Sequence, residues 1–211
     1  MKKRLSAIFA IIGLVVAAYS LWFYSSSADV NRNTYVESHS PVIGNTSAPV
    51  TIVEFFDPAC EACAAISPFV KSILAENPQD VRLVLRYAPF HGAASKEAIG
   101  VLEAAREQRM FDRVLIALFK EQSKWASNTA SDSDLSKIWQ IAVSAGLNEQ
   151  RARDYLTENK FSNVISRDLK QIEELKITRT PTFYVNGEKL EQLEPDQFKQ
   201  LVNKKIREAK S

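Results

Sequence analysis

The sequence predicts an α/β domain whose strands are interrupted by a long block of helices, carried behind an N-terminal apolar helix. Three patterns support this reading. Val50 to Phe56 is a β-branched and aromatic run that gives way at once to a helical period, the mark of a strand–helix unit. Residues 95–175 carry helical stripes and no strand signal. Thr182 to Val185 then reads as a strand running into Asn186-Gly187, the strongest short hairpin signal. With 211 residues, 45% hydrophobic and 25% charged, the chain suffices for one sizeable core with some length left over.

The first segment reads as an address. Lys2, Lys3 and Arg4 precede an apolar run from Leu5 to Tyr24, with no charge until Asp29. A helix of about 20 residues spans roughly 30 Å, the thickness of a bilayer core. Tyr19, Trp22, Phe23 and Tyr24 suit the headgroup interface, and the basic end should stay in the cytoplasm. A retained transmembrane anchor is therefore expected over residues 1–28, with a cleaved signal after Ser26-Ser27-Ala28 as the rival. Either reading puts the remainder outside the cytoplasmic membrane, where disulfide chemistry is permitted. Residues 29–48, rich in Ser, Asn and Thr, read as a polar linker, and 49–210 as the domain.

Within the domain, Val50 to Phe56 is expected as a buried central strand, ended by Asp57-Pro58. Cys63, Ile66, Val70, Ile73 and Leu74 then share a helical face, and Pro68 is expected to kink that helix. Val81 to Tyr87 is a second strand, parallel to the first because a helix lies between them. Met110, Phe111, Val114, Leu115, Leu118 and Phe119 form one apolar stripe in the middle block. Leu135, Ile138, Trp139 and Ala142 form another, opened by Ser and Asp residues suited to capping. Pro195 opens a last helix that buries Phe198, Leu201, Val202 and Ile206.

The chemistry concentrates in one motif. The only two cysteines stand at Cys60-Glu61-Ala62-Cys63, too few and too close to staple a fold. As a zinc half-site the pair lacks two ligands, and the chain offers only His39 and His91 beside carboxylates. As a redox pair it stands where such chemistry needs it: the first sulfur at a helix amino end favours thiolate, and the second, about one turn on, can resolve a mixed disulfide. Net charge of +2 gives no field that suggests nucleic acid. Glu54 is a carboxylate in an apolar strand, so its pKa should rise if it is buried. The bland alternative is a strand end facing water.

Glu54 to Cys63, followed far downstream by Thr180-Pro181-Thr182-Phe183-Tyr184-Val185-Asn186-Gly187, resembles the DsbA-like branch of the thioredoxin superfamily over about residues 41–208. The resemblance implies a thioredoxin-like fold with an inserted helical subdomain at about 95–175, and a protein thiol–disulfide oxidoreductase without a dissociable cofactor. It implies that Pro181 is the family's cis-proline, that Thr180 pairs with a substrate strand, and that Glu54 is the buried acid serving Cys63. Glu61 and Ala62 depart from the Pro-His of strong oxidases in this family. A carboxylate beside Cys60 disfavours thiolate, so a weaker oxidant is expected. His91 is read as structural. The partners implied are exported proteins and a membrane protein that resets the cysteine pair. A tethered reductase or isomerase remains an alternative, as does a copper(I)-binding thiol chaperone, whose soft ligands Met1 and Met110 lie far off in sequence.

Overall fold

Two long, fully buried strands need a neighbour on each face, and the chain supplies one from helices at either side. The computed structural model describes Val15, Val16, Tyr19 and residues 32–126, 135–158 and 160–211. Its five-stranded sheet comprises β1 (Val42–Gly44), β2 (Val50–Phe56), β3 (Val81–Tyr87), β4 (Thr182–Val185) and β5 (Glu188–Lys189), in the order β1-β3-β2-β4-β5. β2 and β3 are parallel with Glu54 opposite Leu85, as the intervening helix α1 (Glu61–Glu76) requires. β1, β4 and β5 join antiparallel. α1 runs as one helix through Pro68.

The hairpin between β4 and β5 turns on Asn186 and Gly187, both at positive φ, the geometry of a two-residue loop. Asn186 also ties the hairpin to β2. Its Oδ1 accepts from Thr51 N at 2.7 Å and its Nδ2 donates to Pro49 O at 3.2 Å.

Alternation along β2 sorts the core. Ile52 and Phe56 lie in the larger cluster with Cys63, Val70 and Ile73 of α1 and Phe198 of α7 (Pro195–Lys210). Val53 and Phe55 lie in a second cluster with Ile172 of α6 (Lys160–Glu174). Between β3 and β4 come α2 (Gly92–Glu107), α3 (Phe111–Lys120), a short 3-10 turn (Gln122–Lys124), α4 (Leu135–Ser144), α5 (Glu149–Thr157) and α6. This is the helical insertion; its apolar stripes run into the larger cluster, and α6 also gives Ile172 to the second.

Two features depart from expectation. The segment read as a polar linker supplies β1, which pairs Val42 with Val84 on β3. Its polar residues also satisfy buried arginines of β3: Asn33 Oδ1 accepts from Arg82 and Tyr35 O from Arg86. Arg86 is fully buried with Asp168 of α6, Nε to Oδ1 at 2.7 Å, and His39 Nε2 donates to the same oxygen at 2.6 Å. The segment is therefore part of the domain from about residue 33.

The expected membrane or signal helix lies outside the described residues except for Val15, Val16 and Tyr19, which are helical. The Ser and Asp residues expected to cap α4 also lie outside them. Among the described residues, no helix is long and apolar enough to cross a membrane.

Candidate active site

Asp57-Pro58 ends β2 and starts a tight turn into α1. Cys60 N donates to Asp57 O at 3.0 Å and Ala59 N to Asp57 Oδ1 at 2.9 Å, an Asx turn that delivers Cys60 to the N-cap position of α1. No side chain caps the helix there, so its first N–H groups remain available to the sulfur. Both thiols are free; Cys60 is 7% exposed and Cys63 is fully buried one turn on.

The Thr180–Pro181 bond is cis. Cys60 Sγ lies 3.4 Å from Thr180 O, so residues 120 apart in sequence meet at the sulfur. Thr180, Pro181, Arg179, Ala62, Lys189 and Leu193 line a groove of about 300 Å³ alongside. Glu61 and Ala62 open α1, both more exposed than the cysteines; Ala62 faces this groove.

The two sulfurs are driven apart in acidity. The Cys60 thiol falls to about 5. The Cys63 thiol donates to it, and the Thr180 side chain and the N–H groups of Cys63 and Ala62 add to this against the opposing effect of burial. Glu61, expected to oppose the thiolate, is exposed and is not among these groups. Burial pushes the Cys63 thiol far above its ordinary range, reinforced by its bond to Cys60 and by the charges of Glu54 and Cys60. Glu54 is 5% exposed, so the water-facing strand end does not describe it. Burial, and then the Cys60 charge, raise its carboxyl to about 8.

Two contributors escaped sequence reading. Asp57 is completely buried, and its Oδ2 accepts from Phe90 N, His91 N, His91 Nδ1 and Ser95 Oγ at 2.8–3.1 Å. It clamps the loop after β3 to the turn carrying Cys60, with His91 as part of that clamp. Asp before Pro at a strand end was the available signal, since Asp favours such turns. Gln122 of the insertion bonds the same turn, and no sequence signal marks it. Among the described residues, no group of three or more His, Cys, Asp or Glu gathers to hold a metal ion.

A family profile described as Thioredoxin matches residues 37–204. Among curated relatives, a sodium/proton antiporter of Mycolicibacterium gilvum is 28% identical over 70% of this chain, which spans only 23% of that protein's length. A putative protein-disulfide oxidoreductase of Rickettsia bellii is 22% identical over 83% of this chain and 68% of the relative. Of solved structures, a thioredoxin-like oxidoreductase from Silicibacter pomeroyi superposes with a TM-score of 0.72 at 26% identity, covering 85% of this chain and 97% of that one. Wolbachia pipientis alpha-DsbA1 gives 0.73 over the same shares at 17% identity, a likeness of fold.

Proposed function

The chain belongs to the thioredoxin family, and from that premise we propose that it is a DsbA-type thiol–disulfide oxidoreductase acting through Cys60 and Cys63. The observation that carries the reading is the placement of the two sulfurs, Cys60 at the N-cap of α1 and 3.4 Å from Thr180 O, Cys63 buried one turn on. This placement divides their acidity, Cys60 falling to about 5 and Cys63 held protonated. It suits a nucleophile at the helix end that is also a good leaving group, and an inner sulfur that resolves.

In the oxidising direction the cycle starts from a Cys60–Cys63 disulfide. A substrate thiolate attacks Cys60 Sγ, the Cys60–Cys63 bond breaks, and Cys63 leaves as a thiolate. Glu54, neutral below about pH 8, gives Cys63 its proton. A second substrate thiolate then attacks the substrate sulfur of the mixed disulfide, expelling Cys60 as a stable thiolate. Two electrons pass from the substrate dithiol to the enzyme, and a redox partner must remove them to restore the disulfide. The groove at Thr180 and Pro181 offers the partner's backbone a place beside the sulfur.

Because a stabilised thiolate favours the reduced form, the Cys60 acidity supports an oxidase. The purified protein equilibrated with glutathione is expected to give a reduction potential nearer about −120 mV than about −270 mV. A value near the lower figure would make it a reductase and reverse the electron flow assigned here.

Location belongs to the same proposal. Lys2, Lys3 and Arg4 before the apolar Leu5 to Tyr24 run support a tether, with the domain outside the cytoplasmic membrane acting on exported proteins. The full-length protein is then expected to stay with membranes through carbonate extraction, with its mature amino terminus near Met1. A soluble product beginning at Asp29 would replace the tether with a cleaved signal.

A further inference from the structure

The turn that carries Cys60 is held from two sides. From the sheet, Asp57 closes it through its carbonyl and its Oδ1. From the helical insertion, Gln122 Nε2 donates to Pro58 O at 2.8 Å and to Cys60 O at 3.0 Å. One side-chain amide thus bridges the carbonyls of Pro58 and Cys60, two residues apart in the turn. Cys60 O also accepts from Ala64 N at 3.2 Å, so the amide grips the first hydrogen-bonded turn of α1.

The amide is delivered from a fixed corner. Gln122 is 7% exposed and opens the 3-10 turn after α3. Its carbonyl accepts from Trp125 N at 3.1 Å and Ala126 N at 2.8 Å. Trp125, 1% exposed, is itself pinned by Nε1 donating to Leu118 O at 3.0 Å. These bonds fix the backbone of Gln122, so its side chain reaches the turn from a set position.

We propose that Gln122 is a positioning residue for disulfide exchange, through which the helical insertion sets the reactivity of Cys60. The proposal rests on the reading of Cys60 as the nucleophile and goes beyond it. The Cys60 thiolate draws on the N–H groups of Ala62 and Cys63 in the first turn of α1. Their aim depends on how that turn is seated, and Gln122 seats it. The same two bonds also satisfy the carbonyl oxygens of Pro58 and of Cys60 itself. A residue that merely satisfied two buried carbonyls would stabilise the oxidised and reduced proteins alike. A positioning residue favours the reduced form, because only that form carries the thiolate.

The test compares the full-length wild type with Gln122→Met, which keeps the bulk and loses the donor, and with Gln122→Ala. Each is equilibrated with glutathione, titrated by thiolate absorbance, and unfolded in denaturant in both redox states. Gln122→Met is expected to shift the glutathione equilibrium roughly threefold to tenfold toward the disulfide. Its thiolate midpoint should rise by about half a unit to one unit. Equal loss of stability in both redox states, with equilibrium and midpoint at wild-type values, overturns the proposal and leaves Gln122 a packing residue. A wild type that does not exchange with glutathione fails the oxidoreductase reading instead. Should neither variant fold, wild-type protein still decides. The Gln122 side-chain amide protons should change shift and exchange rate between redox states, and identical spectra overturn the proposal.

Discussion

Alkylated at pH 5.5 in its reduced form, the protein should take label on Cys60 and leave Cys63 unmodified. With a pKa of about 5, Cys60 is about three-quarters thiolate there, whereas a thiol at 9.0 has on the order of 3 in 10⁴ ionised. A stabilised thiolate is intrinsically a poorer nucleophile. At a Brønsted slope of about 0.45, four units cost Cys60 roughly 60-fold. The net advantage over an ordinary thiol is still on the order of 40-fold at this pH. Near pH 7 that advantage shrinks to about parity, so the acid side is where the measurement discriminates. Cys63 lies behind an ordinary thiol at every pH, because burial holds it protonated and out of reach.

The rate against pH should therefore bend near 5, with mass spectrometry placing the label on Cys60. A bend near 9, or label on Cys63 first, removes the assignment of the nucleophile. The same shift carries a linkage consequence. An acid whose folded pKa lies below its unfolded 9.0 stabilises the folded reduced protein fully above pH 9, and loses that contribution as pH falls toward 5. Two units remain at pH 7, about 2–3 kcal/mol that the oxidised protein lacks. Reduced protein should thus gain relative to oxidised protein as pH rises from 5.

What sequence reading could reach depended on the range of each signal. β2 and β3 were legible because apolar residues dominate both runs, and the CxxC because it stands at the junction of two periods. The Asn186-Gly187 turn was legible because its backbone demands positive φ. β1 was not. Three residues, VIG, carry no measurable period, and the strand exists because β3 offers it an edge. The buried arginines of β3 were hidden for a related reason. Arg86 finds Asp168 a full 82 residues away, so its neutralisation is a fact of tertiary structure.

The site divides the same way. Cys60, Cys63 and Glu54 stood out as chemistry in the wrong or right surroundings, a carboxylate in an apolar strand above all. Thr180 and Pro181 entered through resemblance alone. Gln122 is a polar residue past the end of an apolar helical stripe, and only the fold brings it to the carbonyls of Pro58 and Cys60. Glu61 is the converse case, a redox-tuning role read from adjacency in sequence. A charge adjacent in sequence was weighed against the thiolate, while the donors that govern it come from one turn ahead and from residue 180.

Replacing Glu54 by Gln should stabilise the protein and slow it. A carboxyl raised from 4.5 to about 8 stays protonated in the folded state across the range where the unfolded chain ionises. The folded state then binds more protons, so stability falls as pH climbs from 4.5 to 8 and is flat above. At pH 7 the accumulated cost is about 3 kcal/mol, an upper figure for a group whose surroundings relax. Glu54→Gln keeps the shape and cannot ionise. It should therefore gain little at pH 4.5 and about 2–3 kcal/mol at pH 7 to 8, read as a pH-dependent shift in denaturant midpoint. The catalytic effect runs the other way. When the Cys60–Cys63 bond opens, Cys63 becomes an anion in a site that disfavours it, and an amide has no proton to offer. Single-turnover oxidation of a dithiol peptide should slow by on the order of 10²-fold at pH 7, with wild type losing its advantage above pH 8 as Glu54 ionises. A stability gain equal at both pH values would mean an ordinary, ionised carboxylate. An unchanged rate would leave Glu54 a buried acid with no part in moving the proton to Cys63.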